Sequence, residues 1–331
     1  MTTPIPAQFG EGNTWLGQGF GLALRGSYPV HGLAARDASS RAIPTALLLE
    51  EDARAPISPP AGERLREMRY PDGRLGMVIE DHHELGYEIF AEDFGDHRIS
   101  ADGMMVRSRP TAGLPRWRWQ RLLIAQVLPL VAALRGLEVL HASAIARGGE
   151  AFALAGDSGA GKSTLAAHMA LAGNQLLAED VLAVSLGADG QPQAHPGSTA
   201  MSLRPEQASL ASRLTRAGLA KEVGCDDKEH ILLDTAKESL PLRAMYHLRL
   251  DGGSGQTIAA PRSPSISDLM SCSYVKYLRT SARLTAQLEV QAAIARAVPI
   301  VPVTVARDLT PELLAAELEA HMASIGGPKS R

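Results

Sequence analysis

The segment Gly156-Asp157-Ser158-Gly159-Ala160-Gly161-Lys162-Ser163-Thr164 constrains this chain more than any other stretch. It fits G-x-x-x-x-G-K-[ST], a pattern whose meaning depends on its flanks. The apolar run Ala151–Ala155 before it reads as a strand, and Ser163–Leu171 after it reads as a helix that stops at Gly173. Strand, glycine-rich loop and helix start together make an anion cradle. Glycines let successive N–H groups converge, and the helix start adds free amides and the positive end of its dipole. Lys162 supplies a point charge for the β- and γ-phosphates of a nucleotide, and Ser163 a hydroxyl for Mg²⁺. All nine residues are assigned as phosphate contacts.

A chain of 331 residues makes about two domains, at roughly 100–200 residues each. Between Leu22 and Arg107, the runs Thr45–Leu49, Gly76–Ile79 and Tyr87–Phe90 alternate with turn signals such as Tyr70-Pro71-Asp72-Gly73 and Ala101-Asp102-Gly103. This predicts a smaller β-rich domain over residues 1–110, with long loops in 33–65. Ser108–Pro115 reads as a linker, and Arg116–Arg135 as one helix closed by Gly136. Further on, strands are predicted at Leu137–Ile145, Ala151–Ala155, Gln175–Ala178, Val181–Leu186, Ile231–Asp234, Ala244–Leu250 and Pro299–Val305. Helices are predicted at Lys162–Ala172, 206–220, Ser267–Tyr277, Leu284–Ala297 and Pro311–Ser324. The alternation implies an α/β domain over 111–325, followed by a disordered tail, 326–331.

Charge and cysteine usage exclude several classes. The 33 basic against 36 acidic residues, net −3, leave no generally basic surface, so no nucleic-acid partner is expected. Two cysteines make neither a disulfide framework nor a zinc site, which favours a reducing, cytoplasmic setting. Leu122–Leu134 is too short to span a bilayer, and Met1–Gln18 carries no secretory signal, so no membrane association is expected. Trp117 and Trp119, set among Arg116, Arg118 and Arg121, read as packing under a helix turn.

Chemistry beyond the cradle points to three residues. Leu176-Leu177-Ala178-Glu179-Asp180 is a short apolar run ending in two carboxylates, only seventeen positions past Lys162. Carboxylates at a strand end beside such a loop can bind Mg²⁺ or take a proton from an incoming hydroxyl. Neighbouring residues there point to different sides, so they can divide the two tasks. His141 stands in Leu140-His141-Ala142-Ser143-Ala144. It is either a satisfied core histidine or, if a hairpin closes through Arg147-Gly148-Gly149-Glu150, a neighbour of the loop that steers the acceptor or the proton-taking carboxylate.

Taken together, Leu140–Ser143, Gly156–Thr164 and Leu177–Asp180 resemble the HPr kinase/phosphorylase catalytic domain, over about 115–325 and most securely 137–186. The resemblance implies a P-loop core similar to phosphoenolpyruvate carboxykinase, and ATP-dependent phosphorylation of a serine hydroxyl. It implies that His141, Lys162, Glu179 and Asp180 are catalytic. Lys162 and Ser163 would handle phosphate and Mg²⁺, Glu179 would stand for an aspartate general base, and Asp180 would join Ser163 at the metal. It also suggests a homo-oligomer. The downstream glycine- and arginine-containing signature of HPr kinases is missing. Segments 195–205, 227–230 and 240–242 look more like a divergent group that includes kinases tailoring lasso peptides, which implies a peptide or small protein as acceptor.

Arg204 and Lys228 are weaker candidates for phosphate contacts. No Asn-Lys-x-Asp element selects guanine, so ATP is favoured over GTP. Gly252–Gln256 resembles a transporter-ATPase signature only superficially and reads as a turn. Two other readings stand beside the kinase: a nucleotide-gated ATPase or binding switch, and a kinase of a small-molecule hydroxyl.

Overall fold

The computed structural model describes residues 14–36, 44–49, 62–234, 236–251, 258–306 and 310–325. The turn expected at 252–256 and the tail 326–331 lie outside them. The protein is mixed α/β, with a β-rich N-terminal part.

Nine strands form one sheet in the N-terminal part: β1 (Trp15–Gly19), β2 (Leu22–Gly26), β3 (Ala34–Ala35), β4 (Thr45–Leu49), β5 (Glu63–Arg69), β6 (Leu75–Asp81), β7 (Tyr87–Ala91), β8 (Gly95–Ile99) and β9 (Met105–Pro110). Their order is β3-β1-β2-β4-β9-β8-β7-β6-β5, which places β5 at an edge. Alternate residues such as Leu22 and Leu24, or Tyr87 and Ile89, turn inward, the period expected of a sheet with one buried face.

That buried face meets α1 (Arg116–Leu122) and α2 (Leu128–Leu134); Leu24, Ile89 and Val106 share one core with Trp119, Leu123 and Val131. The helix read over 116–135 is thus continuous in path but not in winding. A π-turn, Leu123–Val127, joins the two pieces. Pro129 supplies the reason: it has no N–H, and its ring crowds the carbonyl of Ala125.

Downstream, β10 (Glu138–Leu140), β11 (Ala142–Arg147), β12 (Glu150–Gly156), α3 (Lys162–Leu171), β13 (Gln175–Ala178), β14 (Leu182–Leu186) and β15 (Pro192–Ala194) follow in quick succession. A small sheet, β16 (Ala200–Leu203), β17 (Ala220–Cys225) and β18 (Glu229–Leu233), flanks α4 (Ala208–Arg216). The chain ends with β19 (Leu240–Asp251), α5 (Ile266–Cys272), α6 (Ser281–Ala297), β20 (Ile300–Ala306) and α7 (Pro311–Ile325). The second large sheet runs β10-β14-β15-β19-β12-β11-β13, with β20 beside β19. The helix expected over Ser267–Tyr277 ends at Cys272, and Ser273 takes an extended backbone. β15, β16 and β17 were not anticipated; β15 has only three residues, β16 pairs with β18 about thirty positions on, and β17 is largely polar and exposed.

β11 and β12 form a hairpin in which Arg147 faces Glu150 across Gly148 and Gly149. Both glycines have positive φ, as the favoured two-residue turn requires. β12 is fully buried from Ala151 to Ala155, and β19 runs parallel to it on the other side. The phosphate loop therefore leaves the sheet from an interior strand. Cys225 and Cys272 are both free thiols. Among the described residues, no helix is long and apolar enough to cross a membrane.

Two histidines make stability pH-dependent. His97 is fully buried, with Nδ1 2.9 Å from Ser108 Oγ, and burial pushes its pKa down to about 3. Burial likewise lowers His195 to about 4. Below pH 6.5 the unfolded chain takes up protons that the folded chain refuses, so stability falls as pH falls toward those values. His97 alone contributes a loss of about 3 kcal/mol between pH 6.5 and 4, at about 1.4 kcal/mol per unit. Urea midpoints across that range check this; a flat profile would show that these rings can be protonated in place.

Candidate active site

The loop geometry follows from its glycines. Gly156 has φ 145°, and a Cβ there would lie 2.5 Å from the Leu248 carbonyl oxygen, so no side chain fits. Gly161 caps α3 with φ 90° and open space around it; glycine serves there for conformation, not room. The first backbone bond of α3 runs from Leu165 N–H to Gly161 O at 2.9 Å. The amides of Lys162, Ser163 and Thr164 thus have no acceptor within the helix and can serve an anion.

Lys162 is 6% exposed. Its ammonium donates to the carbonyls of Gly156 (2.9 Å) and Asp157 (3.2 Å) and lies 3.1 Å from His141 Nε2. Burial pushes its pKa down, opposed by the charges of Asp180, Glu179 and Asp157.

The two acids follow directly on the end of β13 and turn to different sides. Glu179 is 8% exposed and accepts two hydroxyl bonds: Ser163 Oγ donates to Oε1 at 2.5 Å and Ser143 Oγ to Oε2 at 2.6 Å. Burial pushes its carboxyl above the usual range, against the pull of the two serines. Asp180 turns the other way with φ 62°, a conformation uncommon outside glycine, asparagine and aspartate. Its side chain is half exposed, with Oδ1 3.5 Å from His141 Nδ1. The hydroxyl of Ser163 meets Glu179, whereas the resemblance implied Asp180 as its companion at the metal. The reason is the left-handed turn at 180, which carries the second carboxylate away from the loop serine.

His141 sits at the joint between β10 and β11, beside the end of the β12 strand. Its N–H donates to the Cys272 carbonyl at 2.6 Å, and its ring stacks on Tyr274, with centroids 5.8 Å apart and planes 19° from parallel. Burial pushes its pKa down, Asp180 opposes this, and Lys162 and then Lys276 add to it. A neutral ring accepting from the Lys162 ammonium at Nε2 carries its proton on Nδ1, toward Asp180.

Tyr274 is held in turn by the helix break. Its hydroxyl donates to the Ala125 carbonyl at 2.8 Å and accepts from Gln126 Nε2 at 2.7 Å. Ala125 is the residue whose carbonyl Pro129 leaves without its usual helical partner. Ser143 and Tyr274 are site residues that the sequence reading did not assign. Ser143 stood two positions from His141 inside the quoted motif; Tyr274, 133 positions away, carried no sequence signal.

The loop opens on a cavity of about 690 Å³ lined by Lys162, Ser163, Thr164, Glu179, Asp180 and Arg204. Arg204 Nη2 lies 3.8 Å from where a Cβ on Gly159 would stand, so the guanidinium overhangs the loop. Lys228 lines the same cavity. Among the described residues no cluster of three or more His, Cys, Asp or Glu could hold a metal by itself. Mg²⁺ beside a nucleotide needs only one or two carboxylates, because phosphate oxygens and water complete its shell. Ser163 and Glu179 fit that demand.

No family model matches the chain, and no curated protein matches it. Among solved structures it is similar to the Hpr(Ser) kinase/phosphatase from Coxiella burnetii, at 12% identity and a TM-score of 0.33. The match covers 56% of this chain and 92% of that one, a partial likeness of fold at low identity.

Proposed function

We propose that the chain transfers the γ-phosphoryl group of ATP to a serine hydroxyl of a peptide or small protein, on a P-loop core of the HPr kinase and phosphoenolpyruvate carboxykinase type. One observation carries this reading: a second carboxylate, Asp180, stands half exposed against His141, apart from the one bonded to Ser163. A nucleotide switch needs the cradle and one metal-side acid. A transferase needs in addition a proton acceptor on the open side.

In this reading Mg²⁺, beside Ser163 and Glu179, supplies charge neutralisation for the phosphates. The amides of residues 162–164 and the Lys162 ammonium hold the phosphate tail, and Arg204, beside Gly159, adds a second cation. Asp180 accepts the serine proton as the new O–P bond forms and the bond to the ADP oxygen breaks. His141 Nδ1, 3.5 Å from Asp180 Oδ1 and without a hydrogen bond of its own, stands beside that carboxylate. The roles of the two acids are thus the reverse of those the family resemblance implies. Most of the acceleration comes from positioning and electrostatics.

The test is incubation with Mg-ATP and a panel of serine peptides, read by mass spectrometry. Phosphoserine should form with the native chain and be lost with Lys162→Ala. ATP hydrolysis with no phosphopeptide across the panel would favour the switch.

A further inference from the structure

A second cleft, of about 860 Å³, opens on the other side of His141. Its walls are β5, through Glu63–Arg66, and the stretch Ser271–Arg279, with Gly156, Asp157, Ser158 and His247 completing the lining. The amides at the start of α3 belong to the first cavity, and His141 borders both. Asp180 lines the first cavity 3.5 Å beyond His141, so an acceptor side chain extended from the second cleft past His141 meets it there.

Two independent features say what that acceptor is. The first is a strand edge. Four consecutive β5 residues, Glu63–Arg66, line the cleft, with a break in the β5–β6 register at Leu65. β5 pairs with β6 on one side, and among the described residues no strand pairs with its other edge. Such an edge can take an extended peptide by backbone hydrogen bonding.

The second feature is charge. Arg66, Lys276 and Arg279 line the cleft, and none has a carboxylate partner among the described residues. Arg66 reaches Gln126 Oε1 at 3.3 Å and lies 5.9 Å from the centre of the Tyr277 ring. The Lys276 ammonium donates to the Ser271 carbonyl and Arg279 Nε to the Lys276 carbonyl, and both residues are exposed. Arg64 is neutralised by Glu67 and Glu80. Against these stand Glu63 and Asp157 on the cleft walls. The excess is positive and continuous with the reacting centre, since Lys276 acts on His141.

We propose that this cleft seats the acceptor as an extended acidic peptide laid along β5. Its carboxylates meet Arg66, Lys276 and Arg279, and its serine reaches Asp180. This deepens the kinase reading and rests on it. The test uses the full chain and a fluorescent serine peptide flanked by glutamates, with a lysine-flanked peptide and a single-stranded oligonucleotide as competitors, read first by anisotropy without nucleotide. Both Lys276 and Arg279 are exposed, so charge reversal leaves the core intact, and melting temperature reports on folding. Lys276→Glu with Arg279→Glu should weaken the acidic peptide about tenfold or more, and N-methylation of alternate peptide amides should weaken it too.

Equal binding by the charge-reversed protein, or displacement by the lysine peptide or the oligonucleotide at equal concentration, would overturn the proposal. Mg-ATP is then added. An acidic peptide that binds through these residues but gains no phosphate would uphold the cleft and sink the kinase reading. Phosphorylation of the lysine-flanked peptide in preference to the acidic one would do the opposite.

Discussion

Asp180→Asn will lower phosphoserine formation by about 10²- to 10⁴-fold, the usual worth of a positioned proton acceptor, while nucleotide still binds. Asparagine suits the test because it tolerates the φ of 62° at this position and keeps the shape of the side chain. It removes only the ability to take a proton. Single-turnover transfer and nucleotide titration, run on the same protein, separate the two effects. Glu179→Gln behaves differently in the same assay: its oxygens answer Ser163 and Ser143, so its loss should appear as a higher Mg²⁺ requirement. If Asp180→Asn transferred phosphate at the native rate, the proton-acceptor role would pass from Asp180.

The second large effect is on stability. Glu138 in β10 is fully buried and bonded to Arg283 Nη2 at 2.6 Å, Ser273 Oγ at 2.6 Å, Gln291 Nε2 at 3.0 Å and Gln287 Nε2 at 3.2 Å. Arg283 also donates to the Leu137 carbonyl. Removing one partner of a buried pair strands the other charge away from water, at a cost of about 3–5 kcal/mol. Glu138→Ala should therefore lower unfolding free energy by about that amount in urea. A loss below about 1 kcal/mol would mean that water reaches Arg283 in the variant. The network matters to the site because Ser273 lies between Cys272, whose carbonyl holds the His141 backbone, and Tyr274, which stacks on its ring.

Much of the centre of the molecule was legible beforehand. The strand, loop and helix around Lys162 and the Gly148-Gly149 hairpin rest on contacts between residues close in sequence. Local rules reach that far: glycines where φ is positive, alternation along strands, a helix start after a glycine-rich turn. The helix over 116–135 was legible in extent, and its π-turn at Pro129 was not, because the relaxation of a proline inside a packed helix depends on what surrounds it.

Sequence by itself determined the anion cradle and the presence of two acids and a histidine within forty positions of it, since these are matters of covalent order and backbone preference. Tertiary structure alone decided which acid meets Ser163, what stacks on His141 and where β5 lies against residues 271–279. Those outcomes depend on segments brought together from far apart in the chain, and the packing of a shared core, not any local preference, selects them.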